Sequence, residues 1–317
     1  MDRKKLLIAA LAISLLLAPL FLPDFWISVF ISVMAMMVLS TGFRMIYTTG
    51  RLSLGHTFPV GIGAYVSALL SSKLGISFWW GLLLGGIAAG LIALLVGYVV
   101  LRIGGIYFVV ITLAMSEVLI YLLLWAEPFT GGVDGVVNIQ GPAIYVPMIG
   151  RFEFGYKLLP YYYLIFLIML VSVGIMYLME KSHIGRVFHA LRQNDLLAEH
   201  VGINVTSYRV LAFVTASVFA GFVGSFMAHY HHYTCPDDFH VMESLFIQIY
   251  AFIGGIGSFF GAIVGPMVIM SISEVFRVAK EAQPLLYAGM MLVVMMWLPG
   301  GLVTIPAMLK KWRMKKT

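Results

Sequence analysis

Charged side chains are scarce: they make up 11% of the 317 residues, against 61% hydrophobic, and mean hydropathy is +0.98. A soluble domain of this size needs far more charge on its surface, so composition excludes one and leaves a polytopic membrane protein. Cysteine is nearly missing too. Cys235 stands alone, which excludes an intrachain disulfide. There is no Gly-x-x-x-x-Gly-Lys-Ser/Thr stretch, so the chain does not cradle ATP phosphates by that route. His-Glu-x-x-His is absent, as is a paired-carboxylate signature, and no catalytic residue, metal or cofactor is expected. No polar stretch is long enough to form a separate soluble domain.

What is present is an all-α pattern of about ten transmembrane helices in one permease-like domain spanning 1–317. The apolar runs are 6–22, 25–42, 54–70, 78–101, 105–125, 161–179, 208–229, 244–259, 260–276 and 285–305. Residues 1–5 are basic and 6–22 apolar, as in a signal peptide. No small-residue cleavage pattern follows Pro23, so a retained first span is expected. Gly81, Gly85, Gly86, Ala89 and Ala93 suit close helix contact in the fourth run. The Thr130-Gly131-Gly132-Val133-Asp134-Gly135 stretch reads as a turn in a long polar loop.

The net charge of +6 does not indicate nucleic-acid binding, because its distribution explains it. With both termini inside, fifteen Lys and Arg fall on the inner side and five on the outer side, as the positive-inside rule asks. The same count places 180–207 in the cytoplasm. This is the most polar inner stretch, and it reads as two short helices. Val187, Phe188 and Leu191 form an apolar face on the first, and Leu196, Leu197 and Val201 on the second. Asn194 suits an N-cap between them and Gly202 a stop. Pattern alone leaves two readings: a docking element for a partner, or a basic interfacial loop held by anionic lipid.

Two glycine-interrupted stretches sit in different halves of the chain, Val60-Gly61-Ile62-Gly63-Ala64 and Gly254-Gly255-Ile256-Gly257-Ser258. Paired interruptions of this kind point to an internal repeat with a passage between two broken helices. The alternative is tight helix packing, since glycine is common in membrane helices. Glu117 lies mid-way along the fifth run, bordered by Thr112 and Ser116. An intramembrane carboxylate faces the bundle or a cavity. It either meets a substrate ammonium or makes a structural hydrogen bond to a neighbouring helix. His229, His231, His232, Cys235, Asp237, Asp238 and His240 cluster on the outer side, but their spacing matches no structural zinc pattern, and histidines at the membrane edge fit better.

In this order, the motifs resemble the LivM-type permease subunits of branched-chain amino-acid ABC importers. The resemblance rests on Gly50-Arg51-Leu52-Ser53-Leu54-Gly55-His56, Gly61-Ile62-Gly63-Ala64-Tyr65, Leu101-Arg102-Ile103-Gly104-Gly105-Ile106-Tyr107-Phe108 and Thr112-Leu113-Ala114. The 130–135 turn, Gly185-Arg186, Ala190-Leu191-Arg192, Gly202-Ile203, Pro236-Asp237-Asp238-Phe239, the 254–261 stretch and Pro299-Gly300-Gly301-Leu302 complete it. It implies a multi-pass protein of the bacterial inner membrane. Its partners would be a second homologous permease subunit, two cytoplasmic ATPase subunits, an extracytoplasmic substrate-binding protein and the lipid bilayer, with no nucleic acid. On that resemblance 180–207 couples to an ATPase through Gly185, Arg186, Ala190, Arg192, Ala198 and Gly202, and the apolar face of Val187, Phe188 and Leu191 would fill a groove on that partner. The passage would involve Gly61, Gly63, Thr112, Glu117, Gly254, Gly255 and Gly257. The substrate would be a branched-chain or related small amino acid, with urea or a short amide as the alternative.

Two other classes compete: an ion-coupled secondary transporter using Glu117 and Glu274, and a membrane enzyme with a metal at the histidine loop. The inner helical loop favours the ATP-driven class, and most spans lack the charges of a proton relay. The charge count generates a topology test. Single cysteines at 134 and 235 are expected to react with a membrane-impermeant thiol reagent in intact cells, whereas one at 195 is not. Labelling at 195 but not at 235 would reject this orientation.

Overall fold

A computed structural model of the chain describes residues 18–20, 22–146, 150–155, 157–275, 289, 292, 296, 298 and 300–304. The expected spans 6–22 and 285–305 and the basic tail lie almost wholly outside the described residues. Ten helices of six residues or more are described. They are α1 (Asp24–Tyr47), α2 (Thr57–Leu74), α3 (Phe78–Val100), α4 (Ile106–Trp125), α5 (Leu158–Lys181), α6 (His183–Gln193), α7 (Asp195–His200), α8 (Val205–His231), α9 (Val241–Gly254) and α10 (Gly261–Val275). Among them α1, α3, α4, α5 and α8 are long and apolar enough to cross a membrane. A count of ten full spans is therefore not reached among the described residues. Helices α9 and α10, of 14 and 15 residues, reach only about 21–23 Å at the α-helical rise, short of a ~30 Å hydrocarbon core.

Aromatic side chains mark the two membrane surfaces. Trp80 and Trp125 are exposed at one end of α3 and α4, and Tyr98 and Tyr107 at the other. Each Trp–Tyr pair spans about 27 Å of helix, matching the spacing of interfacial belts. Between them Leu84, Leu91, Leu95, Val110, Val118 and Leu122 face outward, as apolar solvent requires.

Helices α1 and α8 form the centre. Helix α8 packs on α3, α2 and α1, while α1 also packs on α5, α9 and α10. Small residues set the α2–α3–α8 contact. A Cβ on Gly63 would overlap the Gly221 carbonyl oxygen, and one on Gly224 would overlap that of Val60. On α3, Gly86, Gly90 and Gly97 receive Phe222, Val218 and Phe213 of α8. Close backbone approach replaces the hydrophobic drive that lipid cannot supply. The hydroxyl of Ser225 donates to the carbonyls of Gly63 and Gly221, both at 2.9 Å.

The outer loop is not wholly irregular. Strand β1 (Val136–Val137) is followed by the hairpin of β2 (Ala143–Val146) and β3 (Gly150–Glu153). After α8, β4 (Tyr233–Thr234) pairs antiparallel with β1, with Val136 opposite Thr234. The α8 end is tied to this loop by histidines. Nδ1 of His229 donates to the Gln140 carbonyl, and Nδ1 of His232 to that of Ile139, at 2.8 Å. Since a carbonyl only accepts, each proton sits on Nδ1, and Nε2 of neutral His229 accepts from Ser67 at 2.8 Å. His229 thus lies near the end of α8, as expected, but it is buried and structural and not on the surface. Among the described residues no group of three His, Cys, Asp or Glu comes together as a metal site.

The packing makes opposite predictions for two glycines. Gly224→Val forces α8 away from α2 and is expected to abolish a folded yield in detergent. Gly174 on α5 has no neighbour where a Cβ would project, so Gly174→Ala is expected to raise thermal stability by up to about 1 kcal/mol through helix propensity. Equal thermal-unfolding curves for both variants would overturn this account.

Candidate functional site

The two helix interruptions lie at 51–56 and 255–260. The first differs from the expected place: Gly61 and Gly63 are inside a regular helix, and the break precedes them by more than a turn. Residues 51–56 re-enter the bundle in non-helical form with Ser53, Gly55 and His56 buried. The glycine at 55 is required there, because a Cβ would overlap the Thr112 carbonyl of α4. Non-helical backbone at membrane depth needs protein partners, and this stretch has them. The amide of Leu54 donates to Thr112 Oγ1 at 3.0 Å, and that of Thr57 to Ser244 Oγ at 2.9 Å. The Ser53 carbonyl accepts from Gln248 Nε2 at 3.2 Å. Thr57 Oγ1 also lies 3.1 Å from Ser116 Oγ and 3.0 Å from Ser244 Oγ, a fully buried hydroxyl cluster. Ser116 is nine residues above Tyr107 on α4, about 14 Å, so α2 begins near mid-membrane.

Helix α9 begins at a similar depth. The carboxylate of Glu117 accepts from the Val241 amide at 3.4 Å and stands 3.7 Å from His240 Nδ1. This contact is a hydrogen bond to a neighbouring helix, the structural one of its two readings. A carboxylate at a helix N-terminus also meets the positive end of the peptide dipoles.

The second break is held by Arg44, one of the fifteen Lys and Arg that the charge count places inside. Arg44 of α1, 1% exposed, forms a two-pronged ion pair with Glu180 at the end of α5, Nη2 to Oε1 at 3.0 Å and Nη1 to Oε2. Its Nε donates to the freed carbonyl of Ile256 at 3.1 Å, and its guanidinium lies over the Phe259 ring at 5.6 Å. Gly255, at φ +114°, turns the chain, and a Cβ on Gly254 would overlap the Gly261 carbonyl oxygen. Gly301 packs on Gly255, whereas Gly257 is exposed, with open space around it. The signal that could have found Arg44 is its standing as the one basic residue of α1, almost a full helix length from Asp24.

Glu180 opens the polar segment. Ser182 caps α6, its Oγ accepting from Ile184 N at 3.1 Å, and Asn194 caps α7, accepting from Leu197 N at 3.0 Å. Gly202 follows α7 at φ +86°, the expected stop. Gly185 lies against the Glu180 backbone, where a Cβ would overlap its carbonyl. Val187, Phe188 and Leu191, expected to need a partner's groove, are instead buried in this chain. Phe188 joins the main core, and Val187 and Leu191 pack with Ala198, Ile203, Val205 and Tyr208. The apolar face left exposed is the other one, Leu196 and Leu197 of α7 with Val201 just beyond it; Arg186 and Arg192 of α6 are exposed as well, and Ala190 is half-buried.

Two further contacts fasten the segment. The Arg192 guanidinium lies over the Tyr47 ring at 4.5 Å, and Tyr47 meets Phe252 of α9 edge-on at 5.6 Å. Buried Arg209 donates to Asp195 at 2.9 Å. That hydrogen bond from Arg209 holds the Asp195 carboxyl below the usual carboxylate range.

The pair at Arg44 yields a stability prediction. Arg44→Met strands the Glu180 charge and the Ile256 carbonyl, at a cost of about 3 kcal/mol, the low end for a broken buried pair because Glu180 is partly exposed. Adding Glu180→Met is expected to recover part of the loss, read by denaturant unfolding in micelles. An unchanged midpoint in Arg44→Met would show that the pair holds nothing together.

The family described as branched-chain amino acid transport system / permease component matches residues 25–298. Two relatives, the high-affinity branched-chain amino acid transport system permease proteins LivM of Salmonella typhimurium and Escherichia coli, are each 28% identical to the chain. Each alignment covers 95% of this chain and 75% of the relative. No solved structure matches.

Proposed function

The chain belongs to the branched-chain amino acid transport permease family, and from that premise we propose that it is the membrane-spanning subunit of an ATP-binding-cassette importer for branched-chain or related small amino acids. Its two relatives carry that transport system in their names. In this reading the chain holds no catalytic residue. Two cytoplasmic ATPase subunits hydrolyse ATP, a second homologous permease completes the channel, and an extracytoplasmic binding protein delivers the substrate. The complex sits in a bacterial inner membrane with both termini of this chain in the cytoplasm.

One observation carries the ATP-driven part: the inner docking segment is joined to the second helix break by a buried charge. Glu180 leads into α6, Arg44 grips Glu180, and the same guanidinium holds the Ile256 carbonyl. A second line runs from Arg192 through Tyr47 to Phe252. Movement of α6 and α7 under an ATPase would therefore reach Gly254, Gly255 and Gly257 directly. The passage we assign runs from the Thr57–Ser116–Ser244 hydroxyls, beside Thr112 and Glu117, to that glycine break. Gly61 and Gly63 keep α2 close to its neighbours along the way.

The docking face is Leu196, Leu197 and Val201, with Arg186 and Arg192 at its polar rim. A short exposed apolar patch on a capped helix suits burial in a partner's groove. Leu197→Asp is expected to weaken ATPase association at least about tenfold, as loss of an interface anchor does, while the permease still folds. Leu191→Asp is expected to unfold the segment itself. Co-purification of the ATPase and binding-protein-stimulated hydrolysis in liposomes measure this. Full coupled activity in Leu197→Asp would reduce the segment to a membrane-surface element and remove the reason for an ATP-driven reading.

A further inference from the structure

A cavity of about 290 Å³ opens between α1, α2, α8, α9 and the segment that joins α8 to α9. It lies at the end of α8 opposite the docking segment and reaches down to Thr57, where the buried hydroxyl cluster begins. Beside His231, Tyr233 and Thr234, two parts of its lining bear on a ligand. One is aliphatic, with Met36, Leu39, Val60, Met227 and Ile247. The other is acidic, with Asp237, Asp238 and Glu243.

The three carboxylates are not equivalent. Oδ2 of Asp238 accepts from the Cys235 amide at 3.0 Å, and Asp237 lies 3.5 Å from His240 Nε2. The half-buried Glu243 carboxylate makes no hydrogen bond or ion pair among the described residues. A carboxylate set against an aliphatic wall without a counter-charge is an incomplete arrangement. What completes it is a cation carried on a small aliphatic body. The volume admits a molecule the size of an aliphatic amino acid, and sites of this kind combine apolar walls with a few convergent polar groups.

We propose that this cavity is a recognition site within the permease itself, in which Glu243 takes the α-ammonium of an aliphatic amino acid and the Met227–Val60–Ile247 wall takes its side chain. The inference rests on the amino-acid importer reading above and adds where this chain checks its cargo after the binding protein releases it. Selection at this point uses both ends of the ligand: an amine without the aliphatic body leaves the wall empty, and an acid without the amine leaves Glu243 unpaired. Asp237 and Asp238, nearer the exposed joining segment, add negative potential that draws a cation toward the cavity.

The test uses the complete importer in nanodiscs, with Cys235→Ser and a single cysteine introduced by Met36→Cys, a half-buried lining position. The rate of reaction with a small water-soluble methanethiosulfonate reports cavity access. L-leucine and 3-methylbutylamine are expected to slow it, and 4-methylpentanoate is not. Glu243→Gln is expected to raise the protecting concentration of leucine by about tenfold or more, the scale of one lost charged hydrogen bond. Met227→Trp, which fills the aliphatic side, is expected to abolish protection while Glu243 remains. Protection by methylammonium equal to that by 3-methylbutylamine would overturn the proposal in favour of a bare cation site. Protection by leucine unchanged in Glu243→Gln would overturn it as well. Leucine uptake by the parent importer with its binding protein separates the two levels. Uptake without cavity protection removes this site alone, whereas no leucine uptake removes the importer reading on which it rests.

Discussion

Backbone groups cannot be left unpaired inside a bilayer, and that constraint organises this molecule. The chain twice abandons helical geometry within or beside the bundle, at 51–56 and at 255–260. Each interruption draws side chains from the other half of the chain. Ser244 and Gln248 of α9 hold the first together with Thr112 of α4, and Arg44 of α1 holds the second. The reciprocal bracing also explains why buried polar residues are tolerated here. Ser244 completes the Thr57 amide, and the Thr57, Ser116 and Ser244 hydroxyls pair with one another inside the bundle.

This bracing determines how the interior is linked to the inner surface. A buried guanidinium is costly without a partner, and Glu180 supplies the neutralising charge from the last turn of α5. The choice of partner matters because Glu180 is the residue from which the polar segment 180–207 starts. Any displacement of α6 pulls on a charge that also holds Ile256. Meanwhile α2, α3 and α8 are locked by glycine and alanine contacts that leave no room for sliding. The molecule thus has a rigid side, α2–α3–α8, and a side tied by polar contacts, α1–α5–α9–α10. Discrete hydrogen bonds on the second side can be exchanged, whereas the close backbone contacts of the first have no second arrangement to move to.

Several features were legible in the residues because they follow from local pattern. Hydropathy located the long helices, and the caps at Asn194 and the stop at Gly202 were read from residue type and found in place. The small-residue stripe on the 78–101 run predicted close packing, which Gly85 and Gly86 show against α2 and α8. Charge bias and motif order pointed to the family that the match over 25–298 then established. The first break ends before Gly61 and Gly63, which stay inside the helix. Glycine inside a membrane helix serves contact as readily as it breaks the helix, and only the neighbour at Gly221 shows which.

The amino-acid sequence by itself determined the class of protein, the helix-forming runs, the capped inner segment and the family, since each depends on composition or on residues close in the chain. Tertiary structure alone decided which apolar face of 180–207 is spent inside the molecule. Val187, Phe188 and Leu191 and the trio Leu196, Leu197 and Val201 are equally apolar on paper. Their fates differ because α6 lies against the bundle and α7 turns away from it. It alone also joined Arg44 to Glu180 across 136 positions, and Glu117 to the start of α9 across 124. Pairings at that separation are set by where helices pack, a property of the whole bundle that no local stretch encodes.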